Sequence, residues 1–335
     1  MTRTHTTRSP KPAGPRLSGQ AVLVWSLVGL AAGTMAAVIL LARQGPPLPP
    51  DAVSHVPLAA VSRPAAPALS EPTPAAFAEF LTASIHRDGA LTATIHVGLA
   101  DAGRERISAR FGNGNDPSEN YYWGALYGLE NYLVNAAGWR RAYRDGGDGV
   151  RILRRTVFHR RIAPNTIWRQ RGVSDPFDIY VLALAWRADE VVAAIQEPLR
   201  DALAGEQLVL HIDGQARAFG SGSGVTGYFG PNPLTERYAD PLEGIVDAAS
   251  RGPVGVFYIC AMSGVYFHPA VREKGLYPLL FTRRPLVTEA YIVAGLLEGL
   301  ASGHVDDGLI DAAAAAYAAR QKTVTMGQAR SLFYR

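Results

Sequence analysis

The sequence predicts an α/β fold, a three-layer sandwich with a mostly parallel six-stranded sheet, preceded by an N-terminal transmembrane helix. From residue 74 onward, strand candidates alternate with helical stretches, which is typical of α/β proteins. Two strand candidates, IYVLALAW and VGVFYICA, are continuous apolar runs, as expected where both faces of a sheet are covered. Hydrophobic residues make up 48% of the 335 residues, which is enough to fill a large core.

The N-terminal segment predicts a membrane anchor. Residues 21–42 form an uncharged run of 22 residues, long enough to cross a hydrocarbon layer about 30 Å thick as a helix. Four Lys and Arg residues and no Asp or Glu precede this run, so the N-terminus is expected in the cytoplasm. We therefore predict a single-pass inner-membrane protein with a cytoplasmic tail at 1–20, an anchor at 21–43 and a periplasmic or extracytoplasmic C-terminal part. A cleaved signal peptide is the alternative, but its apolar region is usually only about 7 to 15 residues long.

The rest of the chain divides into a spacer and one domain. Residues 44–73 are rich in Pro and Ala, which predicts an extended linker. Residues 74–335 are predicted to form a single extracytoplasmic domain whose C-terminal part is helical. Five of the 33 Lys and Arg residues precede residue 44, so 28 basic and 29 acidic residues remain after it. This balance argues against a nucleic-acid partner. The expected partners are the membrane, through the N-terminal helix, and a peptide or an envelope protein. No cofactor and no metal site is predicted.

The individual elements follow from local signals. Thr73 and Pro74 predict the start of a helix that Gly89 ends. After Pro285 the sequence predicts helices at 289–300 and 311–319. The six predicted strands are 91–99, 150–158, 178–186, 207–212, 254–261 and 277–282.

A segment rich in Asn, Gly and aromatic residues follows the first predicted strand. Asp116-Pro117-Ser118-Glu119 fits a capping box, which predicts that a helix begins there. Within that helix, Gly124 and Gly128 would leave a groove beside the aromatic side chains, either for close packing or for a ligand. The preceding loop lies where open α/β sheets usually bind ligands, but it lacks the lysine and spacing of a P-loop. The substrate-binding candidates in this segment are Asn113, Asn115, Tyr121, Tyr122 and Trp123.

Candidate catalytic residues lie at the ends of two predicted strands. Cys260, the single cysteine, ends one strand, while His211 and Asp213 end the strand predicted before it. If those strands are neighbours, the thiol and the imidazole meet at one edge of the sheet. A long Gly/Ser segment at 220–233 is predicted to be a lid or a substrate-binding loop. Further substrate-binding candidates are Ser221, Ser223, Ser263 and Arg283.

This arrangement resembles the caspase-hemoglobinase fold of cysteine peptidases, including the legumain-like enzymes. The resemblance covers about residues 91–282, and it implies that Cys260 is the nucleophile, that His211 handles the proton and that the sheet has caspase-like topology. The His-Gly dipeptide of that family is absent here, since the nearest glycine comes three residues after His211. The segments NYYWGALYG and TEAYIVAG are also similar to an uncharacterised group of bacterial membrane-anchored proteins, which implies no activity.

Two functions remain open from the sequence. The first is a membrane-anchored, caspase-like thiol hydrolase that cleaves peptide or amide bonds. The second is an inactive envelope-binding module in which the aromatic groove holds a peptide, a glycan or a protein. Free cysteine is among the most buried residue types, so Cys260 can equally be an inert core residue. Reactivity needs an exposed thiol with a lowered pKa.

Overall fold

The computed structural model describes residues 72–102, 111–203, 205–235, 243–245 and 252–335. The predicted cytoplasmic tail, anchor and most of the linker lie outside these ranges. Within the ranges, no helix is long and apolar enough to cross a membrane. The described residues belong to one compact unit that spans Ala66–Arg335.

The described residues form the strands β1 (Ala90–Gly98), β2 (Arg140–Asp145), β3 (Ile152–Ile162), β4 (Phe177–Trp186), β5 (Gln207–Ile212), β6 (Gln215–Gly220), β7 (Val225–Phe229), β8 (Gly255–Ile259), β9 (Tyr277–Thr282) and β10 (Phe333–Tyr334). Eight of them form the central sheet, in the order β10-β9-β8-β7-β1-β4-β3-β2. Its five central strands, from β9 to β4, run parallel, while β3, β2 and β10 are added antiparallel to their neighbours. A separate hairpin joins β5 and β6. The predicted α/β class with a mostly parallel sheet is therefore confirmed, with eight strands instead of six.

Three strands of the sheet, β2, β7 and β10, were not predicted. Two of them, β7 and β2, have sequences that are not typical of strands. β7 lies inside the segment predicted to be a loop, and it is fully buried between β1 and β8. Gly227 in this strand leaves room for the ring of Phe257, because a Cβ there would lie 2.3 Å from that ring. Half of the six residues of β2 are arginine, which conceals an edge strand. The condition that the strand of His211 neighbours the strand of Cys260 is not met, since β8 pairs with β7 and β9.

Helices cover both faces of the sheet and produce two cores. One core joins α1 (Pro74–Asp88) and α7 (Ala290–Ala301) to side chains such as Ile95 and Val97 of β1. The other core joins α4 (Val191–Leu203) to Leu182, Leu184 and Trp186 of β4. Side chains on both faces of the central strands are therefore buried, as the continuous apolar runs predict. The helices are α1 (Pro74–Asp88), α2 (Leu129–Asn135), α3 (Thr166–Gln170), α4 (Val191–Leu203), α5 (Ser263–Tyr266), α6 (His268–Glu273), α7 (Ala290–Ala301), α8 (Asp307–Arg320) and α9 (Met326–Arg330).

Capping signals predicted one helix correctly and one wrongly. α1 begins after Thr73, whose hydroxyl accepts a hydrogen bond from the Ala76 amide, and it ends at Gly89 in the left-handed region. The proposed capping box at Asp116 starts turns instead, and the next helix begins only at Leu129. The Asp116 carboxylate accepts its hydrogen bonds from the backbone and hydroxyl of Ser118, two residues on. That Asx turn competes with a helical first turn.

Candidate functional site

The structure buries the predicted nucleophile. Cys260 lies directly after β8 with none of its surface exposed, inside the core beneath α4. This burial raises the pKa of the Cys260 thiol well above its ordinary value. A nucleophilic cysteine needs the opposite, an accessible thiol with a lowered pKa. The position therefore has the properties of an inert core residue.

The structure also separates the predicted proton carrier from the thiol. His211 is an exposed residue of the β5 hairpin, and Asp213 in its turn forms an ion pair with Arg140 of β2 at 2.6 Å. Four strands lie between β2 and β8, which corresponds to roughly 24 Å across the sheet. Arg140 also donates a hydrogen bond to His159, which lies beside the amino-terminal part of β4. Cys260 instead follows the carboxyl end of β8, so the two groups lie at opposite ends of the strands. The structure does not assemble a site from Cys260, His211 and Asp213.

The three aromatic residues predicted to line a groove contribute to packing. Trp123 is fully buried, and its indole N–H donates to Glu130 at 2.7 Å. Tyr122 is buried and packs edge-on against Phe229. The Tyr121 hydroxyl donates to the buried carboxylate of Glu289 at 2.8 Å. Gly124 and Gly128 sit in tight turns where a Cβ would clash with backbone atoms. These contacts favour the packing interpretation of the two glycines.

The remaining predicted substrate-binding residues are engaged within the fold. The Asn113 side chain accepts a hydrogen bond from the Asn115 amide at 2.8 Å, so the two residues shape one turn. Ser263 is buried and donates to the Tyr258 carbonyl at 2.7 Å. Arg283 stacks over the Tyr334 ring, with its guanidinium carbon 4.4 Å from the ring centroid.

The two serines of the predicted loop lie in the short segment between β6 and β7. Ser223 is buried and shares a hydrogen bond of 2.8 Å with the Thr94 hydroxyl. The hydroxyl of Ser221 is buried without a partner among the described residues.

A different site is present on the face of the sheet that α4 covers. A cavity of about 410 Å³ lies between α4, the carboxyl halves of β1 and β4, the hairpin and the start of β3. We call it the α4 cavity. Its volume falls within the range of about 300 to 1,000 Å³ that is typical of small-molecule sites. Its lining residues are Thr94, His96, Asp148, Arg151, Ile152, Leu182, Leu184, Trp186, Glu197, Arg200, Asp201, Leu203, Gly205, Glu206, Leu208, Gly220, Gly244 and Ile245.

A buried hydrogen-bond network forms the polar wall of this cavity. His96 of β1 and Asp201 of α4 are 3% and 8% exposed, and their Nε2 and Oδ2 atoms are 2.8 Å apart. The Trp186 indole N–H donates to His96 Nδ1 at 3.2 Å. An acceptor at Nδ1 means that the ring proton is on Nε2, from which it is donated to Asp201. The three side chains therefore fix one another in one arrangement.

This network is unsuited to proton transfer. A histidine that acts as a general base needs a free nitrogen within reach of the substrate proton. Both nitrogens of His96 are already engaged, one with Asp201 and one with Trp186. The network instead gives the cavity a rigid wall, because buried polar groups with satisfied hydrogen bonds hold a unique geometry.

Charged residues surround the polar wall. The carboxylates of Glu197 and Asp201 lie one helical turn apart on α4, and Glu206 follows that helix. Desolvation acts to raise the pKa of the Asp148 carboxyl, but hydrogen bonds from the amides of residues 150–152 outweigh it and hold the pKa below its usual range. Asp148 is therefore ionised at neutral pH.

The sequence carries a weak signal for this site. Thr92, Thr94 and His96 alternate with apolar residues along β1, which places polar side chains on one face of a buried strand. Asp201 is 105 residues away along the chain, and nothing local indicates that it meets His96. Neither residue was therefore predicted from the sequence.

Comparisons with known proteins add no identification. No protein-family model, no curated protein and no solved structure matches this chain. Among the described residues, no group of three or more His, Cys, Asp or Glu side chains is placed to hold a metal ion.

Proposed function

We propose that the folded domain is a non-catalytic binding module that takes up a small molecule in the α4 cavity. The single observation that carries this proposal is the cavity itself, about 410 Å³ in volume and walled by the buried His96–Asp201 pair. Apolar side chains, among them Leu182, Leu184 and Trp186 of β4, also line it, as in typical ligand sites. The proposal keeps the binding-module hypothesis from the sequence but moves its site from the aromatic segment to the cavity.

The thiol hydrolase has weaker support. Its nucleophile would have to react from a fully buried position, and its proton carrier lies on a separate hairpin. The caspase-like topology that the resemblance implies stays a prediction, as does the anchor at residues 21–43. With that anchor, the module would bind its ligand on the outer side of the inner membrane.

Dansylamide binding to the full chain tests the proposal. This probe is small and neutral, and its fluorescence rises when it leaves water. We expect saturable binding of one molecule per chain. Leu184→Trp, which projects a larger ring into the cavity, is expected to abolish binding, while Leu184→Phe should weaken it. The matched control is Leu126→Trp, the same change at a residue that is 70% exposed outside the cavity. No saturable binding, or equal binding by Leu184→Trp and wild type, contradicts the proposal.

A further inference from the structure

The charges that line the α4 cavity are unevenly divided. Four carboxylates face it, against two guanidinium groups. Glu197 is only 19% exposed and Asp201 is buried, whereas Asp148 and Glu206 are exposed. Charges near a low-dielectric wall act on a ligand more strongly than charges in open solvent. The cavity therefore has an excess of negative charge.

Both guanidinium groups already have anionic partners. Arg200 donates to Glu197 at 2.8 Å and to the Gln196 side chain at 3.2 Å. Arg151 donates to Glu190 at 3.0 Å, and its guanidinium carbon lies 5.0 Å from the centroid of the Trp186 ring. An anionic ligand would have to displace a carboxylate from one of these pairs. A cationic ligand needs no such displacement, because the Glu197–Arg200 and Asp201–His96 pairs each use one oxygen of the carboxylate.

From these observations we propose that the α4 cavity selects a cation with an apolar body, such as an alkylammonium or arylalkylammonium compound. This inference rests on the proposed binding function and names the chemical class of its ligand. The apolar body would lie against Leu182, Leu184 and Trp186, while the ammonium group would lie among the carboxylates of α4. Transfer of the apolar body from water supplies affinity, and the charge supplies selectivity.

Three dansyl probes that share one fluorophore test this selectivity. Dansylcadaverine carries an ammonium group, its N-acetyl derivative is neutral, and dansyl-aminocaproate carries a carboxylate. Fluorescence anisotropy with the full chain gives the three dissociation constants. We expect the cation to bind about tenfold more tightly than the neutral probe, and the anion to bind most weakly.

Charge-neutralising variants locate the selectivity. The double variant Glu197→Gln/Glu206→Gln is expected to remove the preference for the cation. The control Glu79→Gln/Glu119→Gln changes the net charge equally at two exposed residues outside the cavity and should retain the preference. Because Glu197 also holds Arg200, the single variant Glu206→Gln provides a second test that leaves this ion pair intact.

Each outcome decides between the two proposals. Loss of the cation preference only in the cavity variants supports the inference. Equal affinities for the three probes, all abolished by Leu184→Trp, would overturn the cation selectivity and leave the binding function standing. A preference that survives in Glu197→Gln/Glu206→Gln also overturns it. Absence of saturable binding by every probe contradicts the binding function itself.

Discussion

Replacing Asp201 by alanine tests the buried network that shapes the α4 cavity. The change removes the carboxylate that lies 2.8 Å from His96 Nε2, at a position where both side chains are less than 10% exposed. The substitution loses a charge-assisted hydrogen bond and leaves a buried N–H group without a partner. Leaving a buried donor without its charged partner typically costs about 1 to 3 kcal/mol of unfolding free energy. We expect a cost in this range for Asp201→Ala.

Two further variants separate the hydrogen bond from the charge. Asp201→Asn keeps an oxygen that accepts from His96, so its cost should be nearer 1 kcal/mol. Asp213→Ala deletes a carboxylate that pairs with Arg140 at 2.6 Å, but both side chains are about half exposed. Exposed pairs contribute less than about 1 kcal/mol, so this variant is the matched control.

Urea unfolding of the purified full chain, followed by tryptophan fluorescence, measures these differences. The order of destabilisation should be Asp201→Ala, then Asp201→Asn, then Asp213→Ala. If Asp201→Ala costs no more than Asp213→Ala, the His96–Asp201 pair does not hold the cavity wall. The α4 cavity would then not be a preformed site.

Three other predictions follow from buried positions. The Cys260 thiol should not react with iodoacetamide in the native protein at neutral pH, but should react in denaturant. Rapid labelling of the native thiol would contradict its burial and support the hydrolase hypothesis. Burial raises the pKa of Glu289, and hydrogen bonds from Tyr121 and Tyr291 offset only part of that rise. Because the folded protein holds this proton more tightly than the unfolded chain does, ionisation of Glu289 at neutral pH lowers the stability of the fold. Glu289→Gln should therefore be at least as stable as wild type at pH about 7 and lose its advantage as the pH falls toward about 4, as measured by urea unfolding at both values; a large loss at neutral pH would contradict this. Gly227→Ala should cost about 1 to 3 kcal/mol, because its Cβ would lie 2.3 Å from the Phe257 ring, and an unchanged unfolding midpoint would place β7 elsewhere.

Local signals in the sequence were sufficient for much of the fold. The β4 and β8 runs are apolar on both faces, and that pattern correctly predicted central strands of a parallel sheet. Thr73 and Gly89 correctly predicted both ends of α1 because each satisfies backbone groups that the helix leaves open.

The central strand β7 was hidden by its composition. Its segment begins with Gly and Ser residues and contains Gly227, which are features of loops. Only the packing of that glycine against Phe257 explains why a small residue suits the middle of the sheet. Tertiary packing therefore decides the structure at this position.

The candidate site depends on contacts that no local pattern records. His96, Trp186 and Asp201 come from two strands and a helix, and the sheet order brings them together. The predicted site depends on a related condition, that the strand of His211 lies beside the strand of Cys260. The pairing of β5 with β6 in a separate hairpin means that this condition is not met.

Photocrosslinking locates the binding site most directly. An alkylamine that carries a diazirine group would be bound to the full chain, activated by light and mapped by mass spectrometry. The account predicts labels on β4 at residues 182–186 and on α4 at residues 197–203, with competition by unlabelled dansylcadaverine. Labels concentrated at residues 121–123 or 260–263 would instead place the ligand at the carboxyl edge of the sheet and contradict the α4 cavity as the functional site.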